Sequence, residues 1–430
     1  MKRILMSVLI MACAMTLFAG GGGEKANSDG KLELRVVTSY SATDGNRVPF
    51  EKAYKAWEAA SGNAVIDESQ TSDETWKAKV LADFETGSEP DVLFFFTGTD
   101  ANSFIEAGKV VSLEEIRSVY PDYASNMSDG KLAGAASLVD NKVYAIPTNG
   151  FWEGLFVNTA ILAEAGAAVP GPNTTWAEFL DICQKVKDAG YTPIALSLNH
   201  IPHYWFEFAI MNNGGPAAHL NVPKAVNDPA YKAWAAGLND IRDLYQRGFL
   251  PANTLSASDD ETFQGFYDGN SAFAIDGSWK VGGIVDNVGD RLADYGVTFV
   301  PGKGPRKSTD IIGGLSMGYY ITKKAWNDPA RRDAAVDFVR ALTSDAVVNE
   351  MAAGTSVTAL AKTAPKPTGF NSLQESAFEM MQAATSVVPA VQDIITPEAK
   401  AQILETDTKM VASNAITAET AVNNMMAVNK

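Results

Sequence analysis

Apolar positions along this chain follow two spacings in turn. Short continuous apolar runs recur, and between them apolar residues return at i, i+3, i+4 and i+7, so the pattern predicts strands alternating with helices. Residues 32–37 (LELRVV) read as a first strand, and Phe50, Ala53, Tyr54 and Trp57 as one face of a helix that stops near Gly62. Trp76, Val80 and Phe84 mark the next helix, ended by Gly87. The run Val92–Phe96 holds no polar residue, which fits a strand buried on both faces. Phe104 and Ile105 sit in a short helix closed by Gly108. Residues 143–146 form a strand, a PTNG turn follows, and a further apolar run covers residues 155–157. Thr175 and Glu178 make a capping box before a helix whose apolar face is Trp176, Phe179, Leu180, Cys183 and Val186. Gly190 ends that helix and residues 194–198 supply the next strand. Asp228 with Pro229, and again Asp328 with Pro329, pairs an N-cap with a first-turn proline. The first pair opens a helix with Tyr231, Trp234, Leu238, Ile241 and Tyr245 on one face, the second a helix carrying Ala335, Phe338, Val339 and Leu342. No internal repeat or heptad is present, and the alternation argues for layered α/β architecture.

Length and composition refine this picture. At 430 residues the chain exceeds what one hydrophobic core usually holds, so two lobes are expected. A hydrophobic share of 46% and a charged share of 20% are ordinary for a globular protein that needs no disulfide staple. Residues 1–19 read as a secretory signal peptide: Lys2 and Arg3 precede the mostly apolar residues 4–18, and Ala19 and the following glycines offer small residues for cleavage. Residues 20–30 read as a flexible leader. Cys13, preceded by Ile10, Met11 and Ala12, resembles a lipidation site, but apolar sequence continues beyond it, so a lipid anchor is the weaker reading. The expected location is therefore periplasmic or otherwise extracytoplasmic. Loss of residues 1–19 removes two cations and no acid, taking the net charge from −16 to −18. That surface disfavours nucleic acid and anionic membrane as partners. Cys183 is then the remaining cysteine, and its place on an apolar helix face makes it a core residue rather than a reactive thiol.

Several blocks carry a family resemblance. Residues 141–197 contain NKVYAIP, an aromatic pair, an apolar run ending in Asn158, and then PNTTWAEFL. GSEPDVLFFF, FQGFYDGNSAFAIDGSW, VPGKGP, IIGGLSMGYYIT and AAVDFVRALTS stand in order around this block. Each is short, but together the series resembles the extracellular solute-binding proteins of ABC importers, in particular the sugar-binding family that includes maltose-binding protein. The resemblance covers most of residues 31–430. It implies two α/β lobes with the ligand in the cleft between them: lobe one from residues 31–147 and 303–344, lobe two from residues 148–302 and 345–430. It also implies a carbohydrate ligand, membrane permease subunits as partners, a monomer, no cofactor and no catalytic residue.

Ligands of open α/β sheets bind beyond the carboxyl ends of strands. The candidates are therefore Ser39 and Tyr40 after the first strand, and Thr97, Thr99 and Asp100 after the phenylalanine run. Asn149, Phe151 and Trp152 follow residue 146, and His203, Tyr204 and Trp205 come after residue 198. Asp276 and Trp279 come after the AFAI run, and Gly313 and Gly314 stand before the return strand. Rings that stack on sugar C–H faces, with short polar groups for hydroxyls, suit a carbohydrate. By resemblance, Trp279 holds a position that stacks on sugar, Tyr204 and Trp205 align with an aromatic pair of the second lobe, and Tyr40 stands among the first polar contacts. Either Phe151 or Trp152 faces the cleft. Asp100 either binds hydroxyls or caps the helix of Phe104. Trp57, Trp76, Trp176, Trp234 and Trp326 are assigned to packing.

Other chemistries have weaker claims. Gly314, Leu315, Ser316, Met317 and Gly318 fit the G-x-S-x-G pattern of a hydrolase, yet His200, His203 and His219 all precede Ser316, the wrong order for that fold. Glu153 and Asp276 could form the carboxylate pair of a sugar-cleaving hydrolase, although a plain binding site uses such groups too. His200 and His203 make an H-x-x-H pair without an acidic or cysteine partner at metal-ligand spacing. No phosphate-binding glycine motif is present, so an importer's ATPase must be a separate chain.

Overall fold

The computed structural model describes residues 31–42, 44–199, 203–216, 218–353, 355, 357–362 and 369–430. The leader, the lipidation motif and His200 lie outside the described residues. Among the described residues, eleven strands carry the fold: β1 (Glu33–Val37), β2 (Ala64–Asp67), β3 (Val92–Phe96), β4 (Ile146–Pro147), β5 (Phe151–Asn158), β6 (Thr192–Ile194), β7 (Ser271–Gly277), β8 (Tyr295–Thr298), β9 (Asp310–Gly314), β10 (Met317–Ile321) and β11 (Ser386–Val388). They form two sheets. One is five-stranded in the order β2-β1-β3-β10-β4, and the other is six-stranded in the order β11-β9-β5-β7-β6, with β8 paired to β5. β1 runs parallel to β2 and β3, while β10 runs antiparallel to β3 and β4.

Alternation along each strand divides apolar residues between the two faces of its sheet. On β3, Val92 and Phe94 enter a core with Phe50, Trp57 and Phe338, while Leu93 and Phe95 enter one with Trp76, Phe84 and Phe104. The expected doubly buried strand is thus observed. On β5, Leu155 and Val157 face a core with Phe179, Trp205 and Trp234, and Trp152 and Phe156 face one with Phe263, Phe266 and Leu373. The expected helix signals hold: Thr175 and Glu178 form the capping box, and Asp228 and Asp328 accept from backbone N–H groups ahead of their helices. Cys183 is buried, and burial pushes its thiol well up.

Some expectations need correction. Residues 143–145 leave the strand because Val143 bridges Ala136 and its carbonyl accepts from Leu113 N–H. Residues 195–198 are not a strand, since Leu198 N–H and the Leu196 carbonyl bond to Thr254 rather than to a ladder. Phe151 and Trp152, which follow the turn, open β5, so this strand starts four residues before the expected apolar run at residues 155–157. The expected lobe boundaries also shift. β9, assigned above to the first lobe, pairs with β5 and β11 of the second sheet. Val348, Met351, Ala359 and Leu360, assigned above to the second lobe, pack with the first sheet's core. The chain therefore passes between the sheets at residues 148–150, at residues 315–316, and again between Leu360 and the helix Ser372–Ala383, which packs under β8. The C-terminal helix Ala418–Val428 packs in the second lobe. Among the described residues, no helix is long and apolar enough to cross a membrane.

Candidate ligand-binding site

At the crossings the backbones approach closely, and glycines make this possible. A Cβ on Gly150 would overlap the Gly314 carbonyl and the Val357 side chain, and one on Gly313 would meet the Phe151 carbonyl at 2.7 Å. Gly313 and Gly314 pair with Trp152 and Phe151 in the sheet. Asn149 bridges Thr358 and accepts from the Thr148 hydroxyl. Ser39 Oγ lies 4.0 Å from Met317 Sδ, and Thr97 donates to the Ser316 carbonyl.

On the first lobe, Tyr40 is buried against Phe94 and Phe50, with ring centroids at 4.7 and 5.2 Å. The hydroxyls of Tyr40 and Tyr319 are buried beside each other, and burial pushes both well up. Beyond β3, residues 97–100 meet the second lobe directly. Thr99 donates to the Ile395 carbonyl at 2.6 Å, and a Cβ on Gly98 would run into the Asp393 backbone. Asp100 is buried and accepts from Lys400 of the second lobe at 3.0 and 3.1 Å, with Lys77 of its own lobe at 3.4 Å. Asp100 makes no bond that caps the helix of Phe104, and two lysines flank its carboxylate. The lobes therefore stand in contact, joined by a buried ion cluster.

On the second lobe, strand alternation decides between Phe151 and Trp152. Trp152 is 0% exposed and turned into the core beside Phe156. Phe151 is half-buried on the opposite face, 5.8 Å from the half-buried Trp279 ring. Tyr204 lies 6.1 Å from Trp279, and His203 packs edge-on to Tyr204 at 5.1 Å. Trp205, the next residue of the helix His203–Gly214, is buried in the core. The Trp279 ring lies directly over Gly277, where any Cβ would overlap it. Gly277→Ala is therefore expected to lift the ring from its seat. A shift in tryptophan fluorescence and weaker ligand binding in a folded protein are the readouts.

Carboxylates surround these rings. Glu153 is 0% exposed, and among the described residues neither oxygen has a hydrogen-bond partner. The buried Asp276 accepts from Gly277 N–H at 2.7 Å, with the Tyr204 hydroxyl beside it and Lys280 at 3.9 Å. Glu207, buried within the helix, lies 2.8 Å from His203 Nδ1 and 3.3 Å from His219 Nε2, and accepts from Val391 N–H at 2.8 Å. Sequence reasoning missed Glu207, Asp393 and Lys400.

Burial raises the Asp276 carboxyl to about 7, with Lys280 opposing and Asp259 adding to the rise. Burial, reinforced by Glu207 and Asp100, takes Asp393 to about 8, and burial takes Asp44 to about 6. Glu153 is raised well above the carboxylate range, by burial and then by Glu207 and Asp276. These groups hold protons in the folded protein that the unfolded chain releases near pH 4. Their contribution is full below that pH and is lost as the pH rises through their folded values. Thermal stability is therefore expected to fall by several degrees from pH 5.5 to 8.5; a midpoint that rises over that range would contradict this assignment.

Among the described residues, no group of three or more His, Cys, Asp or Glu side chains is arranged to hold a metal ion. Ser316 lies on a crossing, while His203 and His219 both engage Glu207 on the second lobe.

Two α/β lobes joined by short crossings, with half-buried rings and buried polar groups where they meet, define a protein that encloses a small solute between its lobes. Residues 44–349 match the family of bacterial extracellular solute-binding proteins, and the chain belongs to that family. Its members are binding proteins that act outside the cytoplasm. No curated protein sequence matches the chain. Among solved structures it is similar to a chitin oligosaccharide binding protein, at 23% identity and a TM-score of 0.78 over 93% of this chain and 98% of that one. It is similar to RafE in complex with raffinose, at 19% identity and a TM-score of 0.69 over 92% and 98%. A solute-binding protein of an ABC transporter from Thermotoga lettingae, bound with α-D-tagatose, shows 18% identity and a TM-score of 0.71 over 92% and 98%.

Proposed function

We propose that this protein binds a sugar or oligosaccharide between its lobes and delivers it to the permease of an ABC importer without altering it. The observation that carries this reading is the ring group Phe151, Trp279 and Tyr204 beside the carboxylates Glu153 and Asp276 at the lobe junction. Flat rings take up sugar C–H faces, and carboxylates accept from hydroxyls. The sugars carried by the chitin-oligosaccharide, raffinose and tagatose binders of the same fold support it. Asn149, Thr97 and Thr99 contribute at the rim, while Ser39, Tyr40, Trp152, Trp205, Gly313 and Gly314 shape the site from beneath. In this reading lobe one comprises residues 31–147 and 317–362, and lobe two residues 151–314 and 369–430. A ligand touching both lobes favours the closed arrangement by its differential affinity, and closure presents both lobes to the permease. The signal peptide directs export, and the protein works as a periplasmic or surface-held monomer.

Calorimetric titration of the purified protein with mono- and oligosaccharides, with the sugar recovered and analysed afterwards, tests the reading. Binding near 1 μM corresponds to about −8 kcal/mol, within reach of one or two ring stacks and several hydrogen bonds. Micromolar binding with intact sugar is the expected result. Consumption of the sugar would replace transport by hydrolysis at Glu153 and Asp276, and absence of heat with every sugar would overturn the ligand class.

A further inference from the structure

Beyond β3, the first lobe rests on one stretch of the second, residues 391–400. Gly98 packs on the Asp393 backbone, Thr99 donates to the Ile395 carbonyl, and Asp100 accepts from Lys400. Between β11 and the helix Pro397–Lys400 the chain is irregular apart from the single turn Val391–Asp393. An irregular stretch keeps a fixed surface only when groups outside it hold its backbone, because each unrestrained residue gains conformational entropy.

Glu207 supplies that hold. It is fully buried in the helix His203–Gly214, and its Oε2 accepts from Val391 N–H at 2.8 Å. His219 is also fully buried; its Nε2 lies 3.3 Å from the same oxygen and donates to the Pro389 carbonyl at 2.9 Å. A carbonyl only accepts, so that nitrogen carries the hydrogen. Residues 389 and 391 are thus pinned just ahead of the surface that Gly98 and Thr99 meet. Glu207 Oε1 lies 2.8 Å from His203 Nδ1, and the His203 ring packs on Tyr204. One carboxylate therefore spans from the ring group to the lobe contact. Removing it would leave its N–H partners buried and unserved, which is costly enough to move the backbone that carries one of them.

We propose that Glu207 is the positioning residue of lobe closure: by fixing Val391 and, with His219, Pro389, it preforms the surface on which the first lobe seats. A surface ordered beforehand costs less to bind than one ordered on contact. This rests on the closing of two lobes in the reading above. No sugar enters its test, so its failure leaves sugar binding standing, and failure of sugar binding leaves the positioning role standing.

The test is zero-length carbodiimide cross-linking of the purified protein without added ligand, which joins a carboxylate to a lysine it touches. Mass spectrometry of the digest gives the Asp100–Lys400 amide, between lobes, relative to the Asp100–Lys77 amide, within the first lobe. Glu207→Met keeps the length and helix preference of the side chain but removes the carboxyl, and the ratio should fall at least about threefold. Val391→Pro deletes the N–H at the other end of the same bond. Ala390, at φ −73° and ψ 137°, already has the extended backbone that precedes a proline. This variant should lower the ratio likewise and serves if the Glu207 variant does not fold. Glu207→Gln, whose amide oxygen still accepts from Val391 and His219, should keep a ratio close to the parent's. A merely structural role would lower the melting point of these variants and leave the ratio unchanged. A parent-like ratio in folded Glu207→Met and Val391→Pro, or no Asp100–Lys400 amide in the parent protein, would overturn the proposal.

Discussion

Replacing Asp100 by alanine is expected to lower stability by about 3–5 kcal/mol and to let the lobes separate. Burial pushes the Asp100 carboxyl up, but Lys77 and Lys400 outweigh it and hold its pKa below the ordinary value. Among the described residues, Lys400 has no other ion-pair partner, and it is itself buried. Lys77 retains Glu74 at 2.8 Å and lies over the Phe96 ring at 4.3 Å. The variant would therefore leave Lys400 in the interface without its ion-pair partner and beside a second cation, with only the more distant Glu74 and Asp393 acting on it, and the inexpensive escape is for the second lobe to move away into water. Among the described residues, the Thr99 bond to Ile395 and the backbone packing of Gly98 on Asp393 would oppose that movement at this point. Denaturant titration should show the loss, and small-angle scattering without ligand should show a larger radius of gyration than the parent protein. Unchanged midpoint and scattering would mean that the cluster does not hold the lobes together. The pH dependence has the sign of a depressed carboxyl: the contribution is present above about pH 4 and lost as the pH falls through the folded value.

The elements that are legible in the sequence are those set by local rules. The capping box at Thr175, the Asp-Pro helix starts, the glycine stops and the apolar run of β3 all depend on residues within a few positions of one another. Strand limits are less legible where a loop competes for the hydrogen bonds, as Thr254 does at Leu196 and Leu198. The ring assignment was within reach: once Phe151 is placed in the same strand as Leu155 and Val157, period-two alternation turns Trp152 to the opposite face. Extending the strand upstream as far as the PTNG turn shows this. The ion cluster and the carboxylates were not within reach. Asp100 and Lys400 are separated by 300 residues, and Glu207 sits in a helix buried on nearly every face, which has no polar stripe to mark it. A buried acid whose partners come from distant segments has no local signature; contact between those segments creates it.

Trp279→Ala is expected to weaken sugar binding by about 1–3 kcal/mol, roughly fivefold to 150-fold, in a protein that still folds. Trp279 meets both conditions for such an effect. It remains partly exposed at the junction, and its ring is held in place by Phe151 and Tyr204, with Gly277 beneath. A ring fixed before the ligand arrives loses little conformational freedom on binding, so more of the stacking energy appears as affinity. Removing it from a half-exposed position leaves no large core cavity, which separates it from Trp152 or Trp205. At those buried sites the same truncation would cost about 3–5 kcal/mol of stability, and any loss of binding would follow from unfolding. Calorimetry and thermal denaturation on Trp279→Ala and Trp152→Ala together distinguish the cases. The expected pattern is lost affinity with a retained melting point for the first, and a lowered melting point for the second. If Trp279→Ala keeps full affinity, the ring group is a packing feature and the ligand sits elsewhere in the junction.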